Sequence, residues 1–288
     1  LVLPLRPDFR FVIHAAAIIL ATPLICAGSS SAQAQQGKLD ARYTASLAGI
    51  PIGKGAWVLD ITEDQYTAAA SGETTGLLRV FAGGKGTSAA RGILAGGQPV
   101  AASYAATISA EKKTDEVRMV INGGAVKEYV VDPPSPPNPE RIPITDAHRR
   151  GVTDPMTASL IRVSGTSDLM TAESCQRNAS IFDGRMRYDL QLAFKRMDKV
   201  KAEKGYQGPV VVCSVYFSPV AGYIPDRAAI KYLISSRDME LWLAPIAGTR
   251  VLVPFRVSVP TPIGLGVVEA TQFVSAAVPP RAASAKTQ

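Results

Sequence analysis

The residues able to do chemistry in this 288-residue chain are few, and their spacing fits no complete catalytic arrangement. There are two histidines, His14 and His148, so a His-based hydrolase triad or a zinc site with two or three His ligands has little to draw on. His148 stands in DAHRRGVTD beside Arg149 and Arg150 and reads as an exposed loop histidine. Asp146 and Asp154 flank that arginine pair. Two carboxylates do acid–base work only where burial drives their pKa values apart, and the simpler reading has Asp154 capping a helix and Asp146 in solvent. Asp183-Gly184-Arg185 is turn chemistry, because Gly accepts the positive φ of a tight hairpin. The functional alternative sets Asp183 with Arg185 and Arg187 as a polar cluster at a cavity mouth. AGGKG, Ala82 to Gly86, lacks the spacing and the following Ser or Thr of a phosphate loop and reads as turns. No catalytic, cofactor or metal residues emerge, and the expectation is a protein that is not an enzyme.

The N-terminal segment changes which of these residues count. Arg6 and Arg10 precede an apolar run, Phe11 to Ala27, and Ala32-Gln33-Ala34 places small side chains where a signal peptidase needs them. Residues 1–34 therefore read as an export signal cleaved before Gln35, too short for a membrane anchor. Cys26 follows Leu24 and Ile25, a poor context for lipidation. Removing Arg6, Asp8 and Arg10 lowers the net charge of +7 by one and leaves a mildly basic protein. Cleavage also removes His14 and Cys26, so that of three cysteines only Cys175 and Cys213 remain. In an oxidising compartment such a pair forms a disulfide, which restrains the unfolded chain by at most about 4 kcal/mol. The spacing is not the short C-x-x-C of a redox couple. The expected location is the periplasm, where nucleic acid is not a partner and the mature chain does not span a membrane.

Stepping along the chain, period-2 alternation dominates. Tyr188, Leu190, Leu192 and Phe194 alternate with Asp189, Gln191, Ala193 and Lys195, as in a half-buried strand. Similar runs cover 42–48, 56–62, 65–72, 100–109, 116–122, 126–131, 210–216, 230–235, 239–244, 250–259 and 266–273, separated by Gly, Asn-Gly and Pro turn signals. The fold class is mainly β: a long antiparallel meander curved into a half-barrel, barrel or spiral, with one or two short helices packed on or in it. One helix is expected over Asp154 to Val163, with Pro155 at its first position and Met156, Leu160 and Val163 on one face. A second is expected near Gly76 to Gly83. Residues 35–276 read as a single β-rich domain crossed by a proline-rich strap at 131–143, and 277–288 as a disordered tail. Lys195, Arg196, Lys199, Lys201 and Lys204 read as a solvated loop, with contact to anionic headgroups or an acidic partner as the functional alternative.

Five blocks, YTASLAGIPIGKGAW, GVTDPMTASL, CQRNASIFDGRMRYDLQL, YQGPVVVCSVYFSPVAGY and LWLAPIAGTRVLVPFRVSVPTPIGLGVVEATQF, occur in that order. They resemble the exported bacterial family known as domain of unknown function 3108, over roughly Arg42 to Phe273. The resemblance implies a periplasmic protein with a curved sheet, broadly similar to the half-barrels of lipoprotein carriers, and supplies no catalytic residues.

A curved sheet of this length needs something inside it. Trp57, Tyr104, Met156, Leu160, Tyr188 and Trp242 are the candidates to line an apolar ligand pocket, although core packing is the commoner fate of such residues. The expected function is a cell-envelope protein that binds a lipid-like or apolar ligand in the concavity. The alternative is a scaffold that engages an envelope protein through sheet edges or the proline strap.

Overall fold

We describe a computed structural model of the chain over residues 36–76, 83–111, 113–166 and 168–279. The expected export signal lies outside these residues, as do 77–82 of the second expected helix and 280–288 of the expected tail. Alternating side chains produce seven antiparallel strands in sequence order: β1 (Gly37–Leu47), β2 (Ile50–Ile61), β3 (Gln65–Thr74), β4 (Gly84–Ala95), β5 (Gln98–Ala110), β6 (Lys113–Asn122) and β7 (Ala125–Asp132). This first wing continues through β1 into a second. The second contains β8 (Ile161–Arg162), β9 (Arg177–Phe182), β10 (Arg187–Lys201), β11 (Lys204–Gly205), β12 (Gln207–Ala221), β13 (Glu240–Pro245), β14 (Val251–Thr261) and β15 (Gly264–Ala277).

Together they make one unclosed 15-stranded sheet with the path β7-β6-β5-β4-β3-β2-β1-β15-β14-β13-β12-β10-β9. The two short strands sit off this path, β8 on β14 and β11 on β15. The joint between the wings is the antiparallel β1–β15 ladder, which runs from Gly37↔Ala277 to Leu47↔Gly266. At the far ends, the chain after the proline strap reaches both edge strands: Arg150 bridges Ala125, the first residue of β7, and Thr153 bridges Ile181 in β9. The curved sheet of the sequence reading is thus the observed fold.

The wings face each other across one core. Leu39, Trp57, Leu59 and Tyr66 of the first pack with Val210, Val212, Val253, Phe255 and Phe273 of the second. A second buried group lies on the other face of the second wing, because Val211 and Cys213 alternate with Val210 and Val212 along β12. There Ile161, Val211, Leu243 and Leu252 surround the Cys175–Cys213 disulfide. A third group joins Met119 and Ile121 of β6 to Val152 and Phe182, where the two ends of the sheet approach each other.

Four local expectations are corrected. The helix expected over 154–163 is a single turn, α1 (Pro155–Ala158). The Ser159 hydroxyl donates to the Pro155 carbonyl, and Ile161 and Arg162 leave to pair with β14. Residues 230–235, expected as a strand, lie in the helix α2 (Ala228–Ser235). Ile230, Leu233 and Ile234 also satisfy helical spacing, and a window of six residues does not separate the two periods. The glycines after Ala82 belong partly to β4 rather than to turns. Within that strand Gly92 is dictated first by the Val100 backbone carbonyl, which an added Cβ would strike, and then by Tyr66, whose ring carbon Cε1 would lie 2.7 Å away. Lastly, Lys195, Arg196, Lys199 and Lys201 lie on β10, and Lys204 on β11, not on a loop.

Candidate functional site

The short helix α1 stands between the wings, and its Pro155 and Met156 border a cavity. Asp154 anchors this turn. Its Oδ1 accepts from the backbone N–H groups of Met156 and Thr157, both at 2.9 Å, capping the turn as its sequence position requires. Thr157 Oγ1 donates to Asp154 Oδ2, and the Tyr66 hydroxyl donates to Thr157 Oγ1 at 2.6 Å. This buried chain of hydrogen bonds ties the second wing's entry segment to β3. Burial pushes the Asp154 carboxyl above its usual value despite the hydrogen bonds that favour its ionised form.

Beyond Met156 the interior widens into a cavity of about 570 Å³. Tyr43 from β1, Trp57 from β2, Tyr104 from β5, Met156 from α1 and Pro254 with Val257 from β14 all line it. Tyr43 is fixed by donating its hydroxyl to the Pro254 carbonyl at 2.8 Å, a contact that ties the wings together at the rim. Trp57 is 8% exposed, and its indole N–H is buried with no acceptor among the described residues. A buried donor without a partner costs on the order of 1–3 kcal/mol, so this atom is the chemically unfinished point of the cavity wall. Burial, with the Asp154 and Asp183 carboxylates nearby, raises the Tyr104 hydroxyl to about 12, so it stays a neutral phenol at physiological pH.

Of the six pocket candidates, Trp57, Tyr104 and Met156 meet at this cavity. Leu160 and Trp242 are packed in the inner core. Tyr188 stacks against Phe217, with ring centroids 5.6 Å apart, and feels the charges of Asp183 and Asp154. Tyr43, Pro254 and Val257 were not singled out from the sequence. They reach the cavity through the β1–β15–β14 ladder, a long-range pairing that no local pattern specifies.

The polar candidates have structural partners. Asp183 Oδ1 accepts from the backbone N–H groups of Arg185 and Met186 at 2.8 and 2.7 Å, and Arg185 reaches away to Asp115 at 2.8 Å. Arg187 pairs with Asp189, and exposed Asp146 with Arg149. His148 Nδ1 accepts from the Thr145 backbone N–H at 3.1 Å, and its ring is half-buried rather than fully exposed. Among the described residues, no group of three or more His, Cys, Asp or Glu side chains could hold a metal ion, and no helix is long and apolar enough to cross a membrane.

Another concavity lies outside the interior. A trough of about 960 Å³ crosses the outer face of the first wing, floored by Ala69, Ala89 and Ala105. Its walls are exposed side chains, Val58 at 48% and Val130 at 61%, and it contains no buried unpartnered polar atom. The interior cavity is the better candidate site, since both wings contribute to its wall and the orphaned Trp57 side chain lines it.

Comparison with known proteins bears on the family. A crystal structure of a beta-barrel-like protein of domain of unknown function DUF1849 from Brucella abortus is similar at 6% identity, with a TM-score of 0.43. The likeness covers 85% of this chain and all of that one. No curated protein matches. The family model described as protein of unknown function (DUF3108) matches residues 42–271. With its ordered blocks and single curved sheet, this chain belongs to the DUF3108 family.

Proposed function

We propose that the protein is a non-enzymatic component of the cell envelope, periplasmic in its mature form, that holds a lipid-like or apolar ligand between its two wings. The observation that carries this reading is the cavity of about 570 Å³ between the wings, lined by Trp57, whose buried N–H has no partner among the described residues. Apolar walls with one or two placed polar groups are what a ligand site needs. An acyl chain would take the place of core side chains, and an ester or carboxyl oxygen would accept from Trp57. The capping and turn roles of Asp154 and Asp183 support binding over acid–base chemistry. The Cys175–Cys213 disulfide supports an oxidising compartment.

Protein extracted gently from its cells is expected to carry an apolar molecule detectable by native mass spectrometry. Ala45→Trp, at the cavity wall, fills the space and releases that molecule. Protein that is consistently empty, with or without the substitution, overturns the reading. A second reading, a scaffold for another envelope protein, rests on the edge strand β7, where Val130 is 61% exposed. Crosslinking in intact cells separates the two, because a carrier yields lipid and a scaffold yields protein.

A further inference from the structure

The turns at the two ends of the strands are chemically unlike. At one end the chain turns on Glu63-Asp64, Gly96-Gly97 and Asn122-Gly123-Gly124, ordinary polar turn chemistry. At the other end the β1–β2 and β14–β15 hairpins carry no charged residue over 43–53 and 257–268. Their tips hold Ile50, 62% exposed, Ile263, 74% exposed, and the exposed Leu265. The β5–β6 turn at the same end keeps the charged Glu111, so the apolar character belongs to these two tips. They are neighbours, because the β1–β15 ladder ends at Leu47↔Gly266 and the Ala48 N–H donates to the Leu265 carbonyl at 2.9 Å.

Both tips are braced in the form that displays these side chains. Thr261 Oγ1 donates to the Gly264 carbonyl at 2.6 Å and accepts from the Ile263 N–H at 3.3 Å. Ala48 has a φ of 50° and Gly49 a φ of 81°, the left-handed pair of a tight hairpin turn. Asn, Asp or Gly takes the first of these positions with less strain, so Ala48 keeps the tip apolar against the backbone's preference. The cavity between the wings reaches toward the tips, since Ala45, Ile52, Val257 and Val268 in its wall lie on the same two hairpins. On the outer face behind the β1–β2 tip, Arg42, Lys54 and Lys85 line a hollow in which Glu73 is the one carboxylate among the described residues. Lys54 pairs with Glu73 at 2.9 Å, and the hollow is net positive. Arg256 and Glu269, below the other tip, balance each other at 3.6 Å.

We propose that the two hairpin tips are a membrane-docking edge, in which Ile50, Ile263 and Leu265 enter the interfacial layer of an anionic phospholipid bilayer while Arg42, Lys54 and Lys85 face its headgroups. Exposed apolar side chains backed by cations bind such a surface by apolar burial and charge attraction together. A second copy of the chain fits less well, because three side chains on narrow tips do not cover the roughly 800 Å² per partner of a stable protein interface. Docking at this edge sets the cavity against the bilayer from which an apolar ligand is drawn. That last step rests on the ligand reading above, whereas the docking does not.

The test uses the full chain as purified from its cells, sedimented with mixed phosphatidylglycerol and phosphatidylcholine vesicles and with phosphatidylcholine vesicles alone. Saturable binding to the anionic vesicles is expected, weakening as ionic strength rises. The triple variant Ile50→Ser, Ile263→Ser, Leu265→Ser changes exposed side chains only and is expected to bind about tenfold or more weakly. Ile93→Ser, at an exposed position near the opposite end of β4, is expected to bind as the wild type does. Ile263→Trp carries the test if the triple variant fails to fold: its fluorescence should be quenched by vesicles with brominated acyl chains, and that of Ile93→Trp should not. Protein that is empty in native mass spectrometry yet docks through its tips fails the ligand reading alone. Protein that carries a ligand yet ignores the anionic vesicles fails the docking alone. The docking is also overturned if the triple variant binds as the wild type does, if Ile263→Trp is not quenched, or if the tips instead hold a dimer in solution that the triple variant dissolves.

Discussion

The two wings share one inner core but differ on their outer faces. In the second wing Val210, Val211, Val212 and Cys213 are all fully buried, so β12 is covered on both sides. The outer cover is the chain around Ile161, Leu169, Met170 and Cys175, pinned by the disulfide to β12. In the first wing the outer residues of the central strands are small or exposed: Val58, Ala69, Ala89 and Ala105 lie in one cross-strand row with nothing over them among the described residues. The second wing is therefore a rigid wall, whereas the first is a single layer whose only packed face looks inward. Rearrangement that widens the interior cavity costs least where a sheet is packed on one side only.

The largest effect should come from the wall. Leu243 is fully buried in the outer core, and Leu243→Ala is expected to cost about 2–5 kcal/mol in chemical denaturation. Replacing both Cys175 and Cys213 by Ser comes next, at about 2–4 kcal/mol, because the unfolded chain regains its freedom and the cover is untied. A disulfide-free protein as stable as the wild type under reducing and oxidising conditions would remove the asymmetry between the wings.

This asymmetry was not legible in the sequence. Residues 210–216 read as an alternating, half-buried run like 56–62, and both begin with three consecutive apolar residues, yet only β12 is covered on both faces. The pairing of Cys175 with Cys213 followed from counting cysteines, and the capping by Asp154 from its place before Pro155. The glycine- and alanine-rich β4 was not legible, since Gly84, Gly86 and Gly92 carry turn propensity that the ladders on both sides override. Nor was the cavity rim, because Tyr43 and Pro254 are 211 residues apart and meet only through sheet register. Trp242 was legible as a buried aromatic, but Arg196 and Arg256, which lie over its ring, come from different strands, and their convergence is tertiary.

The seam between the wings offers a smaller, pH-dependent effect. Asp154→Ala removes the cap of α1 and the acceptor for Thr157, at an expected cost of about 1–2 kcal/mol. Asp154→Asn keeps an acceptor and removes only the ionisation. Burial raises the folded-state pKa of Asp154 above 3.8, so the folded chain holds this proton to higher pH than the unfolded chain does. The stabilisation from that proton is complete below 3.8 and is lost as the pH climbs through the raised value. Urea unfolding across this range should show the wild type losing stability relative to Asp154→Asn as the pH rises. Parallel profiles would mean that the carboxyl is solvated and the seam is looser than its hydrogen bonds suggest.

The smallest effect belongs to the bare face. Val58 points outward from β2 at 48% exposure, between Asp40 and Ala69 in its cross-strand row, while its neighbours Trp57 and Leu59 point into the core. Val58→Ser changes little buried area and should shift stability by no more than about 0.5 kcal/mol. Leu59→Ala, one residue away on the same strand, should cost about 2–5 kcal/mol. The ratio between these two neighbours measures how one-sided the first wing is. If Val58→Ser approached the cost of Leu59→Ala, the outer face would be packed in solution, and the contrast between a single layer and a covered wall would fail at its simplest point.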